Sequence, residues 1–175
     1  MLEKRREISN EIQLYEKYCL ATHRTGIPLF LLREVLSSLN FDMNEILSQV
    51  IDFGVFFKIN DGNDIELVMR SNIDEFDDTR SIAMASGMEK LIINLVVRSI
   101  LLKNSKISRS NIYWIDEGFG VLDNNYILTM KELFDCMKKF FKKIVIITHI
   151  DQLKDIVDYS IVITKDQKNG SIVNV

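Results

Sequence analysis

The chain has 175 residues, 47% of them hydrophobic and 27% charged, with a net charge of -3. This length predicts one domain with a sizeable core, and the balance is that of an ordinary globular protein. One proline and seven glycines exclude a long low-complexity linker, and the slight negative charge excludes a general nucleic-acid coat while leaving room for a local basic patch.

Cys19 and Cys136 lie far apart and belong to no CxxC or Cys/His cluster. Both read as thiols of a reducing compartment, not as metal ligands. The charged start, Glu3 to Glu7, is no signal peptide, and no apolar run is long enough for a bilayer. The expectation is an intracellular place, cytoplasm or nucleoid/nucleus, with no membrane partner.

Met1 to about Arg24 reads as a helix. Ile8, Ile12, Tyr15 and Cys19 recur at alternating four- and three-residue steps, which is a short coiled-coil seam. His23, at its end, reads as a solvated surface histidine. Thr25-Gly26-Ile27-Pro28 breaks the helix: glycine permits a left-handed cap, and proline suits the first turn of the next helix. From Leu29 to Val50 the seam is Leu29, Leu32, Leu36, Leu39, Met43, Ile46 and Val50, a helix with one packed face. Phe53, Val55, Phe57 and Ile59 then alternate, and Ile65, Leu67 and Met69 follow a turn at Asn60 to Asn63. That is a β-hairpin.

Asp74 to Asp78 reads as a solvated acidic loop and Arg80 to Met84 as a short strand. The next helix opens at Ser86 and buries Leu91, Ile92, Leu95, Val96 and Leu102. Ser86 with Glu89 three residues on forms a capping box. A Ser-Gly turn at a helix start is also an anion site, because free N–H groups and the positive dipole end coincide. Lys103 to Ser110 reads as a basic loop.

Asn111 to Ile115 is an apolar strand that ends in two acids, Asp116 and Glu117. A turn with two glycines and a third acid, Asp123, follow. The carboxyl ends of parallel strands are where open α/β sheets place ligands, and two acids there are costly to desolvate unless something pairs with them. From this stretch alone, a solvated acidic turn and an edge holding Mg²⁺ with a nucleotide are equally good readings. Asp123 can cap a helix running to about Phe141, whose packed face is Ile127, Met130, Phe134, Met137 and Phe141. Lys138, Lys139, Lys142 and Lys143 complement its C-terminal dipole, with a DNA-backbone contact as the alternative. Ile144 to Ile147 is a second apolar strand ending in Thr148-His149. A short helix over Asp151 to Asp158 and two more strands, Tyr159 to Thr164 and Ser171 to Val175, close the chain. Strands alternating with helices argue for a mostly parallel sheet in this half.

The order of these features resembles one family. Ala85-Ser86-Gly87-Met88-Glu89-Lys90 looks like the ABC signature motif, Ile112 to Glu117 like a Walker B strand with its catalytic acid, Val121-Leu122-Asp123 like the D-loop, and Ile146-Ile147-Thr148-His149 like the switch-histidine strand. With the leading helices, the chain resembles the C-terminal ATPase lobe of SMC-like ATPases. The wording Asp-Glu-Gly-Phe-Gly-x-Leu-Asp is most like the SbcC-type DNA repair and recombination group. The resemblance implies an α/β, P-loop NTPase-type (ABC ATPase) lobe with a mostly parallel sheet, preceded by coiled-coil-base helices and a β-hairpin. Residues 1–50 would be the coiled-coil end and base helices, and 51–175 the ATPase lobe.

The resemblance also implies roles. Asp116 would hold Mg²⁺ through water, and Glu117 would polarise the water that attacks the γ-phosphate of ATP. His149 would contact that phosphate. Ser86, Gly87, Met88 and Glu89 would form the surface that meets a nucleotide held mainly by the opposite subunit, and Asp123 would lie at the dimer interface. Implied partners are an N-terminal Walker A lobe, a second ATPase head in a homodimer, a nuclease and DNA. The alternatives are a chromosome-organising SMC lobe with a kleisin-like partner and a non-catalytic dimerisation module. Two positions depart from the pattern. Met88 stands where the signature usually carries a second glycine, which crowds a phosphate's approach, and Tyr113 and Trp114 are bulky for a Walker B strand.

A P-loop needs G-x-x-x-x-G-K-[ST], and none of the seven glycines here is followed by lysine. These 175 residues lack the usual phosphate cradle, so they resemble the C-terminal part alone. The purified chain is therefore expected to release no phosphate from ATP above background. Robust turnover that Glu117→Gln abolishes would contradict this.

Overall fold

A computed structural model of the chain describes residues 2–71, 79–105, 111–120, 126–166 and 170–174. The acidic stretch at 74–78, Lys106, Arg109, the Val121-Leu122-Asp123 segment and the turn residues Lys168 and Asn169 lie outside the described residues.

Two helices come first, α1 (Leu2–Thr22) and α2 (Ile27–Leu47). The α1 seam has nothing packed on it: no residue of α1 is buried, and Ile8, Ile12 and Tyr15 are exposed. The break at 23–26 differs in detail from a left-handed cap, since Gly26 has φ -91°. Glycine is required there by close approach instead. An added Cβ would lie 2.4 Å from the Leu20 carbonyl oxygen and 2.5 Å from that of Ala21. Pro28 occupies the first turn of α2 as expected. The seam of α2 is real, with Leu36, Leu39, Met43, Ile46 and Leu47 buried.

The hairpin forms as β1 (Phe53–Ile59) and β2 (Ile65–Ser71), paired antiparallel with Phe53 opposite Ser71 and Ile59 opposite Ile65. Asn63 takes the left-handed turn position at φ 62°. A three-residue strand β3 (Thr79–Ser81) joins β2 antiparallel, and a short 3₁₀ turn follows over Ile82–Met84. Helix α3 spans Gly87–Asn104. Its buried face is Met88, Ile92, Ile93, Leu95, Val96, Ser99 and Ile100, rotated from the expected one, and Leu102 is 47% exposed. The rotation follows from an all-round apolar sequence, in which several stripes satisfy helical spacing equally well.

Strand β4 (Ile112–Asp116) pairs parallel with β5 (Lys143–Ile147), so that Ile112 is opposite Lys143 and Asp116 opposite Ile147. Helix α4 (Ile127–Met137) is the crossover, and it ends one turn short of Phe141, which is nonetheless buried. A 3₁₀ segment, Asp151–Ile156, leads to β6 (Val162–Asp166) and β7 (Gly170–Asn174). These last strands pair antiparallel, as a short connection allows and a parallel pairing does not. Parallel pairing among the described residues is thus confined to β4 and β5.

One apolar cluster joins these parts. It takes Met43 and Leu47 from α2, Val55 and Met69 from the hairpin, Ile92 and Val96 from α3, Tyr113 and Ile115 from β4, and Met130 and Leu133 from α4. β4 presents only one face to it. Tyr113 and Ile115 are buried, while Ile112 and Trp114 on the other face are 37% and 63% exposed. The bulky Tyr113 is thereby explained. Its ring packs 4.9 Å from that of Phe141, and its hydroxyl donates to the Leu95 carbonyl of α3 at 3.4 Å.

Burial pushes the Tyr113 phenol above its ordinary value of 10.0, while a hydrogen bond to Ser99 and the nearby Arg98 charge pull it partly back. The protonated phenol is the form that this core holds. The stability it contributes is complete below pH 10.0, the unfolded value, and is lost as the pH rises through the higher folded one. Urea midpoints of the native chain should fall on going above pH 10.0, and Tyr113→Phe should flatten that fall. An identical alkaline decline in the variant would assign it to other groups.

Candidate functional site

The site is built where β4 and β5 end. The Glu117 N–H donates to the Ile147 carbonyl at 2.8 Å, the last bond of the parallel ladder. The chain then reverses sharply. Glu117 has φ 54° and Gly118 φ 96°, so both are left-handed, a conformation natural to glycine and costly to glutamate. Phe119 anchors the far side of the turn. It is 1% exposed and meets the Phe134 ring of α4 edge-on at 6.3 Å. A Cβ added at Gly118 would lie 3.9 Å from the Leu91 methyl of α3, an ordinary van der Waals distance. The turn itself rests on α4 through Phe119.

Asp116, Glu117 and His149 are all exposed. The His149 Nδ1 lies 3.7 Å from the Glu117 Oε1. His149 is presented by a turn in which the Ile150 N–H donates to the Thr148 hydroxyl at 3.1 Å. The Asp116 carboxylate has neither an ion pair nor a hydrogen bond among the described residues. No cluster of three or more His, Cys, Asp or Glu side chains fit to hold a metal exists among the described residues either.

Ser86 caps α3 as the sequence predicts. Its hydroxyl accepts from the Glu89 N–H at 3.2 Å, and the Glu89 Oε2 accepts from the Ser86 N–H at 2.6 Å. The N–H groups of Gly87 and Met88 are left without intrahelical partners, as at any helix start. Met88 turns its side chain into the core, where it is 6% exposed. Its bulk points away from the helix mouth, so the crowding expected at this position does not arise. The structure brings Glu117 and His149 together, and among the described residues no hydrogen bond or ion pair joins either of them to Ser86.

The basic residues divide. Lys103 is 3.3 Å from Asp42 and sits over the Phe140 ring at 4.7 Å. Lys138 pairs with Asp158 at 3.0 Å and with Asp135 at 3.2 Å, and those hydrogen bonds raise its pKa. Lys103 thus ties α3 to α2, and Lys138 ties the end of α4 to the bend after the 3₁₀ segment. Lys139, Lys142 and Lys143 remain exposed.

Sequence reasoning missed the support of the acids. Phe119 between two glycines is the one signal that marks a buried anchor in an otherwise polar turn. The left-handed Glu117 leaves no such mark. At an ordinary position glycine is about 0.5–1 kcal/mol less favourable than alanine. Here the order should invert, with Glu117→Gly more stable than Glu117→Ala by roughly 1 kcal/mol. Denaturant unfolding of the two variants measures it, and the usual order would mean that the turn is not left-handed in solution.

No family model matches the chain. It is 30% identical over 187 aligned residues to the uncharacterized protein R555 of Acanthamoeba polyphaga mimivirus. That alignment takes in 98% of this chain but spans 14% of the viral protein's length. Among solved structures, an SMC ATPase from work on ATP-driven dimerization and DNA-stimulated activation superposes with a TM-score of 0.66 at 16% identity, covering 83% of this chain and 88% of its own. The Pyrococcus furiosus Smc head with an extended coiled coil, bound to the C-terminal domain of ScpA, gives 0.64 at 17% identity and covers 98% of this chain and 42% of its own. The SMC head from Thermotoga maritima gives 0.59 at 19%, over 83% of this chain and 51% of its own. Likeness at these identities is a likeness of fold. No described helix is long and apolar enough to cross a membrane.

Proposed function

We propose that this chain, whose fold is that of the SMC head's ATPase lobe, is the C-terminal half of an SMC-like ATPase that hydrolyses ATP at the interface between two heads. The observation that carries the reading is the pairing of Glu117 with His149, at 3.7 Å, on the carboxyl ends of two adjacent parallel strands. Phosphoryl transfer asks a protein mainly for positioning and charge stabilisation. Glu117 is the residue that orients and polarises the attacking water, and its exposed carboxylate is free to accept that water's proton. His149 donates to an oxygen of the γ-phosphate and so shifts its partner from Glu117 to the nucleotide. The turn anchored by Phe119 keeps Glu117 in place while that exchange happens.

Asp116 is the residue that would hold Mg²⁺. A single unpaired carboxylate fits this ion, which keeps several waters and takes its remaining ligands from phosphates. The ion would neutralise the phosphate charge. The phosphates themselves are held by a lobe with a P-loop, which these 175 residues do not contain. Ser86 serves the opposite subunit. Its hydroxyl accepts from Glu89 and keeps its own proton to donate, and the Gly87 and Met88 N–H groups point with the helix dipole toward an anion. Asp123 would lie at the same interface. That no hydrogen bond or ion pair among the described residues joins Ser86 to the Glu117–His149 pair accords with a site completed by a second head.

The wording of residues 116–123 supports a role in DNA repair or recombination, with a nuclease as partner. A chromosome-organising role is the second reading, because two solved neighbours are heads bound to domains of ScpA. Binding of a purified repair nuclease, with none of a kleisin winged-helix domain, favours the first, and the reverse result favours the second.

The central claim is tested by joining this chain to a P-loop lobe and following association by light scattering. Adding ATP should give dimers that decay with turnover. Glu117→Gln should give dimers that persist, because it binds nucleotide and hydrolyses it slowly. Folded protein that stays monomeric in both forms would rule out the role of Ser86 across the interface.

A further inference from the structure

Helix α2 is held to the lobe by more than its apolar face. Asn40 and Asn44 stand one turn apart on it and meet the outer edge of β1. The Asn40 side-chain amide donates to the Phe57 carbonyl at 3.0 Å, and its oxygen accepts from the Phe57 N–H at 2.7 Å. Asn44 repeats the pattern two residues earlier. It donates to the Val55 carbonyl at 2.7 Å and accepts from the Val55 N–H at 2.9 Å. An i, i+4 step along a helix is about 6 Å, and an i, i+2 step along a strand is about 6.8 Å, so the two amides match the two outward-facing strand residues. Gly54 makes room for this, since a Cβ there would lie 3.1 Å from the Asn44 oxygen. The two amides act as a short substitute strand and fill both backbone groups of each residue they meet.

α1 has no such fastening. It has no buried residue, and its one described hydrogen bond beyond its own residues is from the His23 N–H to the Cys19 carbonyl at 2.9 Å, while the Gly26 N–H to His23 carbonyl bond at 2.8 Å and the His23–Thr25 contact at 2.8 Å lie within the break itself. We infer that Asn40 and Asn44 form a clip that makes α2 a fixed part of the lobe, and that the helical arm pivots at residues 23–26. Apolar contact holds the helix against the core without direction. The clip supplies direction, because four hydrogen bonds are made in only one register. Movement of the lobe is therefore passed to the arm at the break between helices. This inference needs no catalysis by the lobe and stands apart from the proposed reaction.

The test uses the full chain with Cys19→Ser and Cys136→Ser, spin-labelled in pairs through Ser9→Cys with Lys131→Cys and through Ser38→Cys with Lys131→Cys. Pulsed electron resonance should give a narrow distance distribution from α2 to the lobe and a broad one from α1 to the lobe. In Asn40→Ala/Asn44→Ala the α2 distribution should broaden while helix content is kept. The Val55 and Phe57 amides should lose hydrogen-exchange protection by roughly tenfold. If the double variant does not fold, Asn44→Ala alone, read the same way, decides. An α1 distribution as narrow as that of α2 would overturn the pivot. An unchanged α2 distribution and unchanged exchange in a folded variant would overturn the clip.

Discussion

The candidate site depends on the hydrogen bond from the Glu117 N–H to the Ile147 carbonyl. It is the last bond of the parallel ladder, the one that closes the Asp116–Ile147 pair, and it falls on the glutamate itself. The chain then turns at once. That turn puts Glu117 and Gly118 in left-handed conformations, a local cost that the surrounding packing must offset. Phe119 does so by burying its ring against Phe134. The same bond fixes the relative height of the two strand ends and so sets His149 beside Glu117. Backbone geometry, not a side-chain network, positions the pair, which leaves both side chains exposed and free to exchange partners.

Among the described residues the parallel pair is covered on one side only, which is unusual. Parallel sheets are found almost always with both faces packed. In this chain the packed face is served by α2, α3 and α4, and its opposite carries Ile112, Trp114 and Ile147 in partial exposure. The stability of the lobe therefore comes from its helical side. The hairpin adds Val55 and Met69 to the same core, and Asn40 and Asn44 close the edge of β1 that would otherwise offer free backbone groups to another strand.

Much of this was legible in the residues. The α2 seam, the hairpin, the Ser86 capping box and the two apolar strands each rest on a local rule, and each forms. Where a local rule has several solutions, the reading slipped. The α3 sequence is apolar on most sides, so its spacing could not choose between Leu102 and Ile100, and tertiary packing chose. The exposure of Trp114 contradicts its own hydrophobicity and is set by tertiary packing, since the helices pack on the other face of β4. Glu117 and His149 could be named from the resemblance of their motifs, but their approach depends on the register of β4 against β5, which no periodicity encodes. Asn40 and Asn44 left a trace, two amides four apart on the flank of an apolar seam. That trace has meaning only once a strand is known to lie alongside.

Trp114 is the one tryptophan in the chain, and it stands 63% exposed in the strand that ends at the acids. The molecule therefore carries a single indole reporter, placed on the exposed face of β4 and two residues from Asp116. Its emission is sensitive to the polarity at that surface and blind to the hydrophobic interior, where Tyr113 sits instead. Whatever comes to lie against this face announces itself by a colour change in unlabelled protein, and quenching by a soluble ion measures how much of the face is still wet.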